Sequence, residues 1–159
     1  MTTMKVTASA PEDQPTISME REFAAPPSVL FRAFTDPDVL KVWYGPNGFT
    51  MTAIAMDFRV GGQFRFTMHG PDGTDYPNRM TYREIVPSQR LVYLHGSDID
   101  NDPNAFDVIN TFKAIGADRT LLVRRSTFPS IEARNAVMKF GAVELGMQTI
   151  EKLAAYLKV

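Results

Sequence analysis

Along residues 17–23 apolar and polar positions alternate: Ile17, Met19 and Phe23 share one face with Arg21, while Ser18, Glu20 and Glu22 share the other. A period of two belongs to a strand with one buried face, so this pattern predicts a half-buried strand with Arg21 turned inward. Pro26 and Pro27 suit the first turn of a helix, where a missing N–H costs nothing, and Val29, Leu30, Ala33 and Phe34 follow at helical spacing. Thr35 or Asp36 can cap a second short helix, with Pro37 in its first turn and Leu40 and Trp43 on its apolar side. Gly45-Pro46-Asn47-Gly48 ends it.

From Phe49 to Phe128 the pattern predicts six strands. Turn chemistry separates them at Gly61-Gly62, Pro71-Asp72-Gly73, Pro87-Ser88, the polar run from Ser97 to Asn104, and Gly116-Ala117-Asp118. Connections this short fit an antiparallel meander, and alternation then assigns faces. Phe64, Phe66 and Met68 point inward, as do Phe106, Val108, Asn110 and Phe112. Met80, Tyr82, Glu84 and Val86 share a parity, with Ile85 on the other; Leu91, Tyr93 and His95 share another face. The register of 121–125 is not legible, but one of Arg124 and Arg125 must face in, and Arg124 is taken as the candidate.

Ser130 can cap a final helix predicted to run almost to the C terminus, with a stripe of Ala136, Phe140, Val143, Met147, Ile150, Ala154 and Leu157 laid over the sheet. Gly141 and Gly146 interrupt it, each costing roughly 1 kcal/mol relative to alanine. They either leave room for a guest or permit close helix-to-sheet packing. The pattern as a whole predicts an α+β fold: a curved antiparallel sheet of about seven strands wrapped around a long C-terminal helix, with two short helices between the first two strands. Such a cup implies an internal pocket. Residues 1–15, rich in Thr, Ser, Ala and Pro and without periodicity, are expected to be a mobile leader to a single domain over 16–159.

Several segments carry a family resemblance: Arg21-Glu22-Phe23-Ala24-Ala25-Pro26, Phe31-Arg32-Ala33-Phe34-Thr35-Asp36-Pro37, Trp43-Tyr44-Gly45-Pro46, Gly61-Gly62-Gln63-Phe64, Tyr82-Arg83-Glu84-Ile85-Val86-Pro87, Arg90-Leu91 and Lys152-Leu153-Ala154-Ala155-Tyr156-Leu157. In these the chain resembles the START-like, helix-grip (SRPBCC) superfamily, in particular the group similar to the C-terminal domain of the activator of the heat-shock protein 90 ATPase. The resemblance spans nearly everything after Thr16. It implies the fold strongly and the function weakly, since similar shapes serve as lipid carriers, receptors, cyclases, self-resistance proteins and co-chaperones. Two departures stand out: Met80 where relatives usually carry glycine, and Met147 where an aromatic is common.

Composition narrows the function classes. Among 159 residues, 17 basic side chains balance 18 acidic ones, which supplies no overall field for nucleic acid or an anionic membrane. No apolar run is long enough to span a bilayer and no signal-peptide core precedes the first strand, so a cytoplasmic location without membrane insertion is expected. Zero cysteines remove disulfides, thiolate metal sites and cysteine nucleophiles. His69 and His95 are the only histidines and have opposite predicted facing, so no metal site is expected; neither G-x-S-x-G nor a phosphate loop occurs.

What remains is a guest site. The expected ligand is a small, mostly apolar or aromatic molecule held between helix and sheet, with no cofactor implied. Its walls would be Trp43, Phe64, Phe66, Met68, Met80, Phe112, Phe140, Val143 and Met147, and its polar fixings Tyr82, Glu84, Tyr93, His95, Asn110 and Arg124. The bland alternatives are an arginine paired internally with Glu84, His95 as a hydrogen-bonded wall residue, and Trp43 as a core plug. Binding is favoured over turnover. A second reading is a cyclase- or hydrolase-type enzyme using the inward polar residues as acid or oxyanion stabiliser. A third, implied by the resemblance alone, is a co-chaperone-like contact with a heat-shock protein 90 ATPase. Met138 and Leu145 would leave an apolar strip on the long helix that could support a homodimer.

Overall fold

The computed structural model describes residues 4–159. Eight strands form one sheet: β1 (Thr7–Ser9), β2 (Thr16–Phe23), β3 (Thr50–Met56), β4 (Gln63–His69), β5 (Asp75–Val86), β6 (Arg90–Ser97), β7 (Phe106–Gly116) and β8 (Arg119–Thr127). Two short helices, α1 (Pro27–Thr35) and α2 (Pro37–Trp43), lie between β2 and β3, and α3 (Ile131–Lys139) and α4 (Ala142–Leu157) follow β8. The sheet order is β1-β2-β8-β7-β6-β5-β4-β3, antiparallel throughout. This is the helix-grip arrangement, with eight strands where about seven were predicted.

The extra strand comes from the expected mobile leader. Its first three residues lie outside the described ones, but β1 pairs with β2, and Val6 is buried. Arg134 is the reason the segment stays down. It is 2 % exposed on α3 and its Nη1 donates to the Pro11 carbonyl at 2.6 Å and, more weakly, to that of Thr16 at 3.4 Å. A buried guanidinium needs its donors met, and carbonyls of an otherwise irregular chain supply the acceptors.

The caps form as the sequence implies. Asp36 Oδ1 accepts from the Asp38 N–H at 2.9 Å to start α2, and Ser130 Oγ accepts from the Ala133 N–H at 3.0 Å to start α3. The single long C-terminal helix does not form. It breaks at Phe140 and Gly141, where Gly141 has φ +86° and open space around its Cα, so the chain turns and restarts as α4. That left-handed conformation costs any other residue roughly 1–2 kcal/mol, which accounts for the glycine. Gly146 has a different reason: a Cβ there would stand 2.5 Å from the Met19 methyl, so the glycine permits close packing of α4 on β2.

Within α4 the expected stripe of Val143, Met147, Ile150, Ala154 and Leu157 packs on the core, but the α4 residues that line the interior space are Ala142, Leu145, Gly146, Thr149 and Ile150. Met138 packs on the core, and Leu145, 36 % exposed, borders the interior space. On the outer face the polar loop after β6 is tied down by Asp98, which accepts from Arg65 at 2.8 Å and from Arg79 at 3.0 Å. No helix among the described residues is long and apolar enough to cross a membrane.

Replacing Arg134 with alanine leaves the Pro11 and Thr16 carbonyls without this donor and should cost about 2 kcal/mol, the usual scale for hydrogen bonds to a charged group. Hydrogen exchange should rise first at Thr7–Ser9, and unchanged protection there would remove the clamp assigned to Arg134.

Candidate functional site

Inward parity holds along most of each strand, but the interior is filled at one end only. At that end α1 and α2 drive an aromatic cluster against the sheet. The Phe34 ring meets Trp43 at 5.0 Å and Phe112 at 5.3 Å; Phe31 also meets Phe112, and Phe58 meets Tyr82 at 4.9 Å. Trp43 completes the plug by donating its indole N–H to the Ala33 carbonyl at 3.0 Å. Phe64 and Phe66, stacked at 4.7 Å, and Met80 are buried beside it.

Toward the other end lies a cavity of about 790 Å³. Its sheet wall consists of Ile17 and Met19 of β2, Met68 of β4, Tyr76 and Asn78 of β5, His95 of β6, Phe106 of β7, and Arg124 and Ser126 of β8. Tyr44, Gly45, Pro46 and Phe49 after α2 form one side, Phe128 another, and the inward face of α4 the roof. Phe140, 84 % exposed in the joint between α3 and α4, and Tyr76, 45 % exposed, are the most open of these residues and mark the mouth.

Of the residues expected to hold a guest, Met68, His95, Arg124 and Phe140 line this cavity. Trp43, Phe64, Phe66, Met80, Tyr82 and Phe112 do not; they belong to the filled end or lie beneath the wall. Tyr93 and Asn110 sit just behind it. Val143 and Met147 pack on the core without lining the cavity, and Met147 borders a shallow groove with Lys5 and Val6. Glu84 faces outward. A bulge after Tyr82 shifts the register so that Glu84 pairs with Val92 and Ile85 with Leu91, and the Glu84 carboxylate forms an ion pair with Arg90 at 3.0 Å on the surface. Simple alternation cannot see such an extra residue. Among the lining residues missed are Tyr44, the neighbour of the tryptophan chosen instead, and Asn78 and Ser126, which backward and forward extension of the parities of Tyr82 and Arg124 would have found.

The electrostatics of the wall are unusual. Arg124 Nη2 donates to the Tyr44 hydroxyl at 3.0 Å, and the guanidinium lies 5.7 Å from the centre of the Tyr44 ring. No carboxylate approaches Arg124 within 4 Å among the described residues, and its Nη1 is buried without a partner in the protein. Burial opposes the charge, but Tyr44 and Tyr93 beside it favour the charged form and the net shift is upward, so Arg124 remains a cation. Next to it, the Tyr93 hydroxyl, Asn110 Oδ1 and His95 Nδ1 are likewise buried without partners. The Tyr93 hydroxyl lies close to Asn110 and Tyr44 but meets hydrogen-bond geometry with neither. Burial pushes both the Tyr93 and Tyr82 hydroxyls up, so both stay protonated.

His95 Nε2 meets Asn78 Oδ1 at 2.8 Å, which assigns the proton to Nε2 and leaves Nδ1 a bare acceptor. Burial, with the Arg124 charge adding to it, pushes the imidazole pKa down to about 3. A general base works best with a pKa near the operating pH, so His95 is a neutral hydrogen-bonding group at neutral pH and not a poised base. His69 is on the outer face, between Thr52 and Asp75 at 2.7 Å each. No cluster of three metal-ligating side chains occurs among the described residues.

The family model for "Activator of Hsp90 ATPase homolog 1-like protein" matches residues 24–158. The chain belongs to this family. Solved structures agree on the fold. A Mycobacterium smegmatis protein is similar over 96 % of this chain and 98 % of its own, with TM-score 0.86 and 26 % identity. An Arthrobacter aurescens protein reaches TM-score 0.84 at 23 % identity over 91 % and 87 % of the two chains, and a Chromobacterium violaceum protein 0.73 at 26 % over 91 % and 98 %. Comparison with curated proteins finds no match. Family and fold are those of a ligand-binding or regulatory domain.

The depressed His95 pKa makes a signed prediction. Below about pH 6.5 the unfolded chain takes a proton on this histidine that the folded chain refuses, so stability falls as pH drops, until near pH 3 both states carry it. The slope from this one group is at most about 1.4 kcal/mol per pH unit. Urea unfolding between pH 6.5 and 4 should show a shallower decline for His95→Gln than for the parent, and equal slopes would mean that His95 is not held neutral by the fold.

Proposed function

We propose that the protein is a binding protein for a small, mostly apolar or aromatic ligand that occupies the cavity between the sheet and α4. The observation that carries this reading is the hollow itself: about 790 Å³, within the range usual for small-molecule sites, with mainly apolar walls and polar groups gathered on one side. Met19, Met68, Phe49, Phe106, Phe128 and Ile150 supply surface that gains by excluding water, and the methionines adapt to the shape of what they contact. A turnover reading has less support. His95 is not poised for proton transfer. The chaperone-regulator reading rests on the family description and on no residue of the cavity.

Titration with the neutral fluorophore N-phenyl-1-naphthylamine tests the proposal. It should bind saturably at one site with a blue-shifted emission and raise the melting temperature, as any ligand selective for the folded state must. Ala142→Phe, which projects a ring into the cavity from the roof, should weaken binding at least about tenfold, since overfilling a packed site costs roughly 1–3 kcal/mol. Absence of saturable binding to the parent protein would overturn the proposal.

A further inference from the structure

The cavity wall carries few charged groups. Arg124 is a cation and His95 is neutral; no aspartate, glutamate or lysine lines the space. The hollow therefore has one positive charge and no negative one. An isolated buried charge is normally paired or hydrogen-bonded to completion, because the interior replaces its hydration poorly. Arg124 departs from that norm, with one neutral hydroxyl as its hydrogen-bond partner and Nη1 unmatched. Three other arginines with little exposure are provided for: Arg21 by Glu151 at 2.8 Å, Arg79 by Asp98 and Asp100, Arg134 by two carbonyls and Asn135.

A second observation concerns the neighbours. The Tyr44 hydroxyl accepts from Arg124, so its own proton remains free to donate into the cavity it lines. Ser126, two residues along the same strand and on the same face, adds a hydroxyl, and the unpartnered Tyr93 hydroxyl stands just behind. Arginine surrounded by hydroxyl donors, without an acid in sight, is the environment that stabilises an anionic oxygen. The apolar remainder of the wall suits a hydrocarbon or aromatic body.

We propose that the ligand of this cavity is an apolar carboxylate, its acid group seated against Arg124, Tyr44 and Ser126 and its aromatic or acyl body lying under α4 toward the mouth at Phe140. This deepens the binding function proposed above and rests on it. Arg124 is then the specificity-determining residue: apolar surface decides that a guest enters, and the fixed cation decides which end goes in first.

The test compares a matched pair, 2-naphthoate and 2-naphthamide, by calorimetric titration of the full chain at pH 7, alongside N-phenyl-1-naphthylamine. Losing a charge-assisted contact in a dry site typically changes affinity by about ten- to a hundredfold, so 2-naphthoate should bind the parent protein on that scale more tightly than the amide. In Arg124→Gln the ratio should fall to about one, and Tyr44→Phe should reduce it in part. Equal binding of acid and amide to the parent protein would overturn the inference, as would a preference that survives Arg124→Gln. The parent ratio needs no variant and decides the matter if Arg124→Gln does not fold. The outcomes separate the two proposals: binding of the neutral fluorophore without a preference for the acid sinks the carboxylate and spares the pocket, whereas no binding of any probe sinks both.

Discussion

A sheet of eight twisted strands that curls around one helix encloses more volume than that helix can fill. The protein meets this constraint unequally along the strands. At one end α1 and α2 push Phe31, Phe34 and Trp43 against Phe112, and the interior is solid. At the other no such insertion exists, α4 stands alone over the concave face, and the gap remains. The position of the cavity, the identity of its walls and the burial of its charge follow from that asymmetry, because each strand passes from the filled end to the hollow one. On β4 the passage runs from Phe64 to Met68, on β6 from Leu91 to His95, and on β8 from Leu122 to Ser126.

This also explains what the sequence disclosed. Alternation reports which side of a sheet a residue occupies, and it did so for Phe64, Met68, Tyr93, His95, Asn110 and Phe112, all of which face the interior. It contains no information about depth along the strand, which is set by how far α1 and α2 reach. Hence Phe64, Tyr82, Phe112 and Trp43 were placed around a guest when they are the stopper beneath it. The remaining errors have local causes. The bulge beside Arg83 reverses parity for Glu84, the left-handed Gly141 divides the predicted long helix in two, and Arg134 holds down a segment whose own composition argues for disorder. The fold itself was legible because order of elements, caps and turn residues all agree with one architecture.

The polar groups of the interior divide by purpose. Arg21 and Glu151 link β2 to α4, and Arg134 links α3 to the N-terminal segment; both have partners and both hold chain to chain. Arg124, Tyr93, Asn110 and His95 lie on adjacent rungs of β6, β7 and β8, and each keeps a buried hydrogen-bonding atom unmet. Burying polar atoms in this state lowers stability, and natural cores mostly avoid it. Their concentration beside the cavity couples the two peculiarities of the protein.

The joint between α3 and α4 separates the aperture from the container. Phe140 and Gly141 belong to neither helix, and the strands beneath are hydrogen-bonded to one another without reference to them. Chain length and side-chain bulk at this corner can therefore vary while the vessel keeps its shape. A lineage, or an engineer, could reshape the opening by editing two residues and leave the inner wall intact.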